Sequence, residues 1–246
     1  STSEVPLRGM RNVDQTCYAI SLSQVLLRVP GVLEWVTRHH ADGCPHEETS
    51  CVLCALFLTY TQVLGGFQRT GLGSLPVLAM RRAEVSGVFG GGEQHDIFEF
   101  YEQFLDRARD IELGAHRYGF WGHVQLTRPA ATHADRLFGF VRETRRQCTV
   151  CHGVVRSWFS TEHVLRVTPR DVLGGPMTIT EMYLDSCAPV LQHVACRQCG
   201  ASRDHTSQER ILTEPNVLVV QIRRGDADGV LRRVEVRVEQ PLSLHG

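Results

Sequence analysis

Paired cysteines restrict the fold of this chain more than any other feature of its sequence. Three pairs have two residues between their members: Cys51/Cys54, Cys148/Cys151 and Cys196/Cys199. This spacing forms a tight knuckle that turns both thiolates toward one ion, and two knuckles complete a closed tetrahedral zinc site. The last two pairs, separated by residues 152–195, therefore predict one structural zinc, with each knuckle at the tip of its own β-hairpin. The alternative is two unrelated turns that carry reduced thiols.

The first pair has no second knuckle, but histidines and a further cysteine precede it. The segment His39-His40-Ala-Asp-Gly-Cys44-Pro-His46 lies just upstream of Cys51. Histidine nitrogen and cysteine sulfur are both zinc ligands. The sequence thus predicts a second zinc held by His40, Cys44, Cys51 and Cys54. His39 and His46 are alternatives for the histidine ligand, and a local cluster of buried thiols is the alternative without metal.

Cys17 stands apart from the paired cysteines. Apolar residues recur at helical spacing from Ala19 to Val29 and Pro30-Gly31 follows, which predicts a helix that begins near Cys17. At a helix N-terminus the macrodipole and the free N–H groups favour a thiolate, and these donors can form an oxyanion hole with an amide side chain. Cys17 is therefore a candidate nucleophile, with a buried thiol of the first helix as the alternative. Cys187 has no acid–base neighbour in the sequence and is expected to be a small core residue.

Composition and charge argue against several classes of function. The net charge of −1 comes without a basic or acidic block, so nothing supports a nucleic-acid partner. No apolar run approaches the length of a membrane span, and the first thirty residues lack the pattern of a secretory signal. We expect an intracellular protein, cytoplasmic or nuclear, that binds neither membrane nor nucleic acid.

The hydrophobic periodicity changes along the chain. Residues 1–112 carry helical patterns with breaks at Pro30-Gly31, Gly65-Gly66 and Gly90-Gly91-Gly92. From about residue 137 the pattern has period two, as in residues 163–167 and 230–238. The sequence predicts an α+β fold in which a helical part precedes a β-rich part.

Motifs along the whole chain resemble those of the ubiquitin-specific proteases. Residues 9–21, GMRNVDQTCYAIS, are similar to the family's cysteine box, GLxNLGNTCYMNS, and residues 94–100, QHDIFEF, are similar to its second box. The last two cysteine pairs resemble the zinc site of the family's fingers, and the run from His40 to Cys54 resembles an extra metal site of one branch. Residues 214–224, EPNVLVVQIRR, resemble the strand that ends in Lys/Arg-Arg-Phe, with Gly225 in place of the phenylalanine.

The resemblance implies a papain-like fold with a helical thumb over residues 1–112, and zinc-bearing β fingers with an incomplete palm over residues 137–246. It implies a thiol-dependent deubiquitinase, an isopeptidase that removes ubiquitin from protein conjugates. The catalytic residues that the resemblance implies are Cys17, the nucleophile, with Gln15 and Asn12 in the loop before it. Zinc is the implied cofactor, and ubiquitin or ubiquitinated proteins are the implied partners.

The second box implies contacts with ubiquitin. Gln94, Asp96 and Glu99 match family positions near the extended ubiquitin tail. Capping is the alternative for the two acidic residues, because acidic side chains are favoured in the first turn of any helix.

Three departures from the family pattern bear on catalysis. Gln15 replaces an asparagine whose amide helps to hold the oxyanion, and loss of such a donor costs about 3 kcal/mol. Asp14 replaces a glycine of the same loop. The family's histidine box, with its HxG and GHY motifs, has no counterpart, and His245 lies too early to supply it. Two readings stay open: a hydrolase whose base lies outside these residues, and a catalytically inactive ubiquitin-binding or scaffold module.

Overall fold

The structure, a computed structural model, describes residues 9–44, 50–65, 75–113, 132–170, 175–200, 202–225 and 235–238. One compact unit contains the described residues up to Leu113 together with Thr132–Leu137, and a second unit contains those from Phe138 onward. Among the described residues no single helix is long and apolar enough to cross a membrane, and the helix pair of sufficient length, Cys17–Leu26 with Pro30–Ala41, is bent by 97°.

The first unit is helical. Its elements are α1 (Cys17–Leu26), α2 (Pro30–Ala41), α3 (Val52–Gly65), α4 (Val77–Met80), α5 (Arg82–Val85), a 3₁₀ turn (Gly87–Gly90), α6 (Ile97–Leu113) and α7 (His133–Phe138), whose last residue belongs to the second unit. The predicted helix begins at Cys17. Pro30 begins α2 rather than only ending α1, because proline has a helical φ and lacks an N–H that the first turn does not need. Gly65 ends α3, and Gly66 lies outside the described residues.

Aromatic packing fixes the start of α1 in the first unit. The Tyr18 ring lies 5.1 Å from that of Phe100 on α6 and 5.7 Å from that of Phe89, and His95 completes the group at 5.4 Å from Tyr18. Tyr18, Phe89 and Phe100 are buried. The residue that follows Cys17 is thus anchored in the core, which leaves Cys17 little freedom to move.

The second unit is built on antiparallel strands. Its strands are β1 (Phe140–Cys148), β2 (Val154–Glu162), β3 (Leu165–Val167), β4 (Met177–Thr178), β5 (Val190–Ala195), β6 (Ser202–Thr213), β7 (Val220–Ile222) and β8 (Val236–Arg237). Four of them form an antiparallel sheet in the order β2-β1-β6-β5, while β3 with β7 and β4 with β8 form short parallel pairs. The two hairpins, β1–β2 and β5–β6, carry a cysteine knuckle in each turn, as predicted from the spacing.

A helix interrupts the part that was predicted to be β. α8 (Ile179–Ser186) begins with a capping box, in which the Glu181 N–H donates to the Thr178 hydroxyl at 3.1 Å and the Thr178 N–H donates to the Glu181 carboxylate at 2.7 Å. This T-x-x-E pattern is a helix-start signal that period-two alternation does not reveal. Met182 and Tyr183 pack with Phe140 in the core of this unit. Of the alternation predicted at 230–238, residues 230–234 lie outside the described residues.

Candidate metal sites and the Cys17 loop

The four cysteines of the predicted finger site converge. The sulfur atoms of Cys148, Cys151, Cys196 and Cys199 all lie within 4.8 Å of one another. The Cys151 and Cys196 sulfurs are 3.7 Å apart. A tetrahedral centre with Zn–S bonds of about 2.3 Å has edges of about 3.8 Å, so the donor set and its spacing fit zinc. We call these four residues the finger cluster.

Both knuckles of the finger cluster are closed by the same backbone pattern. The His152 N–H donates to the Cys148 carbonyl at 3.0 Å, and the Gly200 N–H donates to the Cys196 carbonyl at 2.9 Å. Each donor residue has a left-handed backbone, with φ of 56° and 68° respectively. The Val150 N–H also donates to the Cys148 sulfur at 3.4 Å. The backbone therefore holds each sulfur pair on one side of its turn.

A second group of metal-ligating side chains lies in the first unit. Ligand atoms of His39, Cys44, Cys51 and Cys54 lie within 4.8 Å of one another, with His39 Nε2 3.3 Å from the Cys51 sulfur. We call this group the thumb cluster. Its geometry fits zinc as well, because histidine nitrogen and cysteine sulfur are the donors that zinc prefers.

The prediction of His40 in this cluster is corrected by the structure. The His40 ring stacks on Phe57, with 4.2 Å between the ring centroids. Neighbouring helical residues point about 100° apart, so the histidine that faces Cys51 is His39 and the next one faces another side of α2. His46, the other alternative, lies outside the described residues.

The thiols of the two clusters differ electrostatically. Burial raises the pKa of both Cys51 and Cys54, and the nearby Cys51 thiolate raises the pKa of Cys54 further. In the finger cluster the backbone N–H groups of Cys199 and Gln198, together with the His205 side chain, lower the pKa of Cys196 to about 6. Zinc binds thiolates, so loading of the thumb cluster must displace protons.

The loop before α1 is a tight turn. Asp14 and Gln15 have φ of 52° and 56°, and the Thr16 N–H donates to the Val13 carbonyl at 3.3 Å. Two central residues with positive φ are the pattern of a type I′ turn. The Thr16 hydroxyl lies 2.7 Å from the Val13 carbonyl and 3.2 Å from Asn12 Oδ1, and it donates to both. Asn12 therefore supports the turn through Thr16.

Cys17 follows this turn as the first residue of α1 and is half-buried. The Thr16 carbonyl accepts the Ile20 N–H at 3.0 Å, which closes the first helical turn. The first N–H groups of a helix have no partner within the helix, so Cys17 lies among donors of the kind that an oxyanion hole uses. Gln15 is exposed one step before the buried Thr16.

The second box begins α6 by capping it. Asp96 Oδ1 accepts the N–H groups of Phe98 at 2.6 Å and Glu99 at 3.4 Å. The Glu99 carboxylate lies 3.9 Å from His95 Nδ1. Gln94, Asp96 and Glu99 are all exposed. Capping accounts for Asp96, and the role of these residues toward ubiquitin stays a prediction.

Comparison with known proteins agrees with this arrangement. A family model described as ubiquitin carboxyl-terminal hydrolase matches residues 8–245. The chain belongs to the ubiquitin carboxyl-terminal hydrolase family. Within this family it is 26% identical to human ubiquitin carboxyl-terminal hydrolase 42 over 147 residues, which is 59% of this chain and 10% of that protein. It is 25% identical to ubiquitin carboxyl-terminal hydrolase 14 of Schizosaccharomyces pombe over 149 residues, 57% of this chain and 17% of that protein.

Solved structures of ubiquitin hydrolases share the fold. The SAGA Ubp8/Sgf11/Sus1/Sgf73 DUB module bound to ubiquitin aldehyde contains a chain that matches with a TM-score of 0.75 at 17% identity, over 97% of this chain and 53% of that chain. The module bound to monoubiquitin matches with a TM-score of 0.75 at 18% identity, over 95% and 53%. The predicted α+β fold of the ubiquitin-specific proteases is confirmed. The chain spans about half the length of these solved relatives.

One residue beside the finger cluster was not predicted. His205 on β6 is fully buried, and its side chain lies within hydrogen-bonding reach of Cys196. It lies in an ordinary strand pattern, outside the spacing of either knuckle, so no local signal marks it.

Proposed function

We propose that this chain carries the nucleophile and the ubiquitin-binding surface of a thiol-dependent deubiquitinase. The observation that carries the proposal is the position of Cys17: it begins α1 directly after the type I′ turn, within the segment that resembles the family's cysteine box. The family match over residues 8–245 supports the same activity. The substrate class is ubiquitin joined to the amine of a lysine.

The chemistry would begin at the Cys17 sulfur. Its thiolate attacks the carbonyl carbon of the last ubiquitin residue, and the carbonyl oxygen becomes an oxyanion. N–H groups of the first turn of α1, with the Gln15 amide, would stabilise that charge. Collapse releases the lysine amine, which must take up a proton, and leaves a thioester that water hydrolyses. The family's histidine motif would supply that proton and has no counterpart in these 246 residues.

Zinc would serve structure rather than chemistry in both clusters. A site with four protein ligands is closed, so it has no position for water or substrate. Cys148, Cys151, Cys196 and Cys199 would join the two hairpins of the sheet, and His39 with Cys44, Cys51 and Cys54 would join the end of α2 to the start of α3. The free thiols that these sites need also favour a reducing, intracellular compartment as the location.

A ubiquitin-binding module without turnover is the second candidate function. The observation that favours it is the exchange of the family's asparagine for Gln15. Both candidates require ubiquitin to bind, and they differ in whether Cys17 completes the reaction.

A ubiquitin probe with a C-terminal electrophile tests the proposal. We expect slow covalent labelling of Cys17 in the zinc-loaded chain, because a helix N-terminus favours the thiolate even without an imidazole partner. We expect no measurable release of a ubiquitin C-terminal amide reporter by these 246 residues, because no segment of them matches the family's histidine box, which would protonate the leaving amine. Peptide mapping by mass spectrometry identifies the labelled thiol.

Cys17→Ala and Cys187→Ala form the matched pair for this experiment. The first should abolish labelling and the second should leave it unchanged, since Cys187 packs against the core of the second unit. Labelling of Cys187 or of a knuckle cysteine would overturn the role of Cys17. Reporter turnover that depends on Cys17 would show instead that a histidine of this chain acts as the base, and would exclude the inactive module.

A further inference from the structure

His205 lies on the strand that connects the two halves of the finger cluster. Its Cα pairs with Cys148 of β1 on one side and with Gln192 of β5 on the other, because β6 runs between these strands. The side chain is fully buried. His205 is thus level with the first knuckle, on the strand of the second hairpin that pairs with the first.

The ring of His205 shares a face of the sheet with the first knuckle. Residues directly opposite each other in an antiparallel pair project to the same face, so the imidazole lies on the side of the Cys148 sulfur. The preceding residue is fixed as well: the carbonyl of Asp204 accepts both the N–H of Thr149 at 3.2 Å and its hydroxyl at 2.6 Å. The main chain before His205 is therefore bound to the first knuckle.

The imidazole itself reaches the second knuckle. The His205 side chain lies within hydrogen-bonding reach of the Cys196 sulfur, and the Cys196 and Cys151 sulfurs are 3.7 Å apart. Burial of a polar ring is costly without a hydrogen-bond partner, and the Nε2 atom of His205 is itself buried. The pair Asp204-His205 consequently meets both knuckles, the first through the Asp204 carbonyl and the second through the His205 ring.

We propose that His205 is a positioning residue of the zinc site, whose ring N–H donates to the Cys196 thiolate and holds it in place for the ion. The inference rests on the proposal that the finger cluster binds zinc. Hydrogen bonds from outside the ligand set orient ligands and offset the negative charge that four thiolates place around a zinc ion. Removal of such a bond typically weakens metal affinity about 10- to 100-fold.

The test measures metal affinity in four variants of the chain. His205→Phe replaces the imidazole with an apolar ring and so removes both ring nitrogens. His205→Asn and His205→Gln place an amide N–H close to the positions of the two imidazole nitrogens, so one of them tests whichever nitrogen donates. His193→Phe is the control, since His193 lies on β5 of the same sheet with an exposed side chain that pairs with Asp204 at 3.0 Å.

Chelator competition on cadmium-loaded protein, followed by cadmium-113 NMR, separates the four-sulfur finger cluster from the thumb cluster. We expect His205→Phe to weaken the finger cluster about 10- to 100-fold, with the thumb cluster unchanged, and one amide variant to recover most of the loss. The control should match the wild type. The sulfur-to-metal charge-transfer band of the cobalt form should shift in His205→Phe and stay unchanged in His193→Phe and in the amide variant that restores affinity, which a purely structural role would not produce.

Three results would overturn the inference: finger-cluster affinity in His205→Phe within about threefold of wild type, equal weakening of both clusters, or no rescue by either amide. If His205→Phe fails to fold, His205→Leu replaces it in the same comparison. A wild-type chain with no metal at the finger cluster would refute the zinc proposal itself. Equal affinity of wild type and His205→Phe refutes only the role of His205.

Discussion

At the residue scale, the loop before Cys17 accepts a backbone conformation that its side chains do not favour. Asp14 and Gln15 both have positive φ, a region where L-residues lose about 1–2 kcal/mol and where asparagine, aspartate and glycine are tolerated best. Thr16 bonds to Asn12 and Val13 and keeps the turn closed. The sequence departs from the family's glycine and asparagine at the two positions where the conformation is most restrictive.

Substitution of Gln15 measures how firmly this turn is held. Gln15→Asn should raise the free energy of unfolding by a few tenths of a kcal/mol, because asparagine accepts the left-handed region more readily. Gln15→Val should lower it by about 1–2 kcal/mol, because a branched Cβ clashes at positive φ. Denaturant unfolding of the zinc-loaded chain provides both values. Equal stabilities of the two variants would show that residue 15 does not hold positive φ in solution.

At the element scale, the two finger knuckles have the same backbone geometry but different residues at the position with positive φ. His152 and Gly200 each follow the second cysteine of a knuckle and have positive φ. A Cβ on Gly200 would meet no atom within 4 Å, so any cost of substitution there comes from the backbone alone.

The two positions therefore predict opposite effects. Gly200→Ala should destabilise the second knuckle by about 1 kcal/mol, because alanine is strained at positive φ. His152→Gly should relieve that strain in the first knuckle by up to about 1 kcal/mol. Hydrogen exchange of the hairpin amides measures each local effect. Lower amide protection in His152→Gly would mean that contacts of the His152 side chain stabilise the knuckle by more than its backbone strain destabilises it.

Metal binding at both clusters should depend on pH. Burial raises the pKa of Cys51 and Cys54 in the thumb cluster, so at neutral pH these thiols are protonated without metal. Metal must displace their protons, and its apparent affinity should rise from about pH 6 to about pH 8, by about tenfold per pH unit for each proton released. In the finger cluster Cys196 has a pKa of about 6. The Gly153 N–H lowers the pKa of Cys151, but burial and hydrogen bonds with the neighbouring thiols outweigh it and raise that pKa to about 11. The affinity of the finger cluster for metal should therefore rise with pH as well.

Competition with a metal-binding dye at several pH values, with the two sites resolved by cadmium-113 NMR, checks this pH dependence. Protein purified without chelator should carry metal at both clusters. A thumb-cluster affinity that is constant across this range would contradict the protonated state of Cys51 and Cys54.

At the scale of the whole molecule, a short segment after α6 completes the helical unit. Residues 132–137 follow α6 in sequence and belong to the first unit. The Glu112 carboxylate near the end of α6 accepts the Trp35 indole N–H at 2.9 Å and the His133 backbone N–H at 2.9 Å, and lies 2.6 Å from His133 Nδ1. The Trp35 and His133 rings stack at 6.2 Å. One carboxylate thus ties α2, α6 and α7 together.

Loss of that carboxylate should destabilise the unit far more than loss of a surface one. Glu112→Ala leaves the donors of Trp35 and His133 without their acceptor and should cost about 2–3 kcal/mol. Glu34→Ala is the control, since Glu34 pairs with Arg38 at 2.7 Å on the exposed face of α2 and should cost less than about 0.5 kcal/mol. Urea unfolding of both variants tests this. Equal losses would mean that the Glu112 bonds are replaced by water at no cost.

Local patterns in the sequence were enough to locate the cysteine clusters and the start of α1. Cysteine spacing predicted both groups of candidate metal ligands, because two intervening residues suffice to form a knuckle, and the apolar pattern after Cys17 predicted a helix that begins there. Family motifs indicated the fold, which the comparisons confirm. These features depend on neighbours within a few residues, so a linear pattern is enough to reveal them.

Two residues beside the cysteine clusters could be identified only from the tertiary structure. His39 rather than His40 joins the thumb cluster, because the rotation of α2 relative to Cys51 is fixed by packing that adjacent residues in the sequence do not report. His205 meets the finger cluster through the register of β6 against β1, which lies tens of residues earlier in the sequence. Register and helix rotation are set by burial of whole faces against distant elements, and a local pattern contains no information about which distant face it will meet.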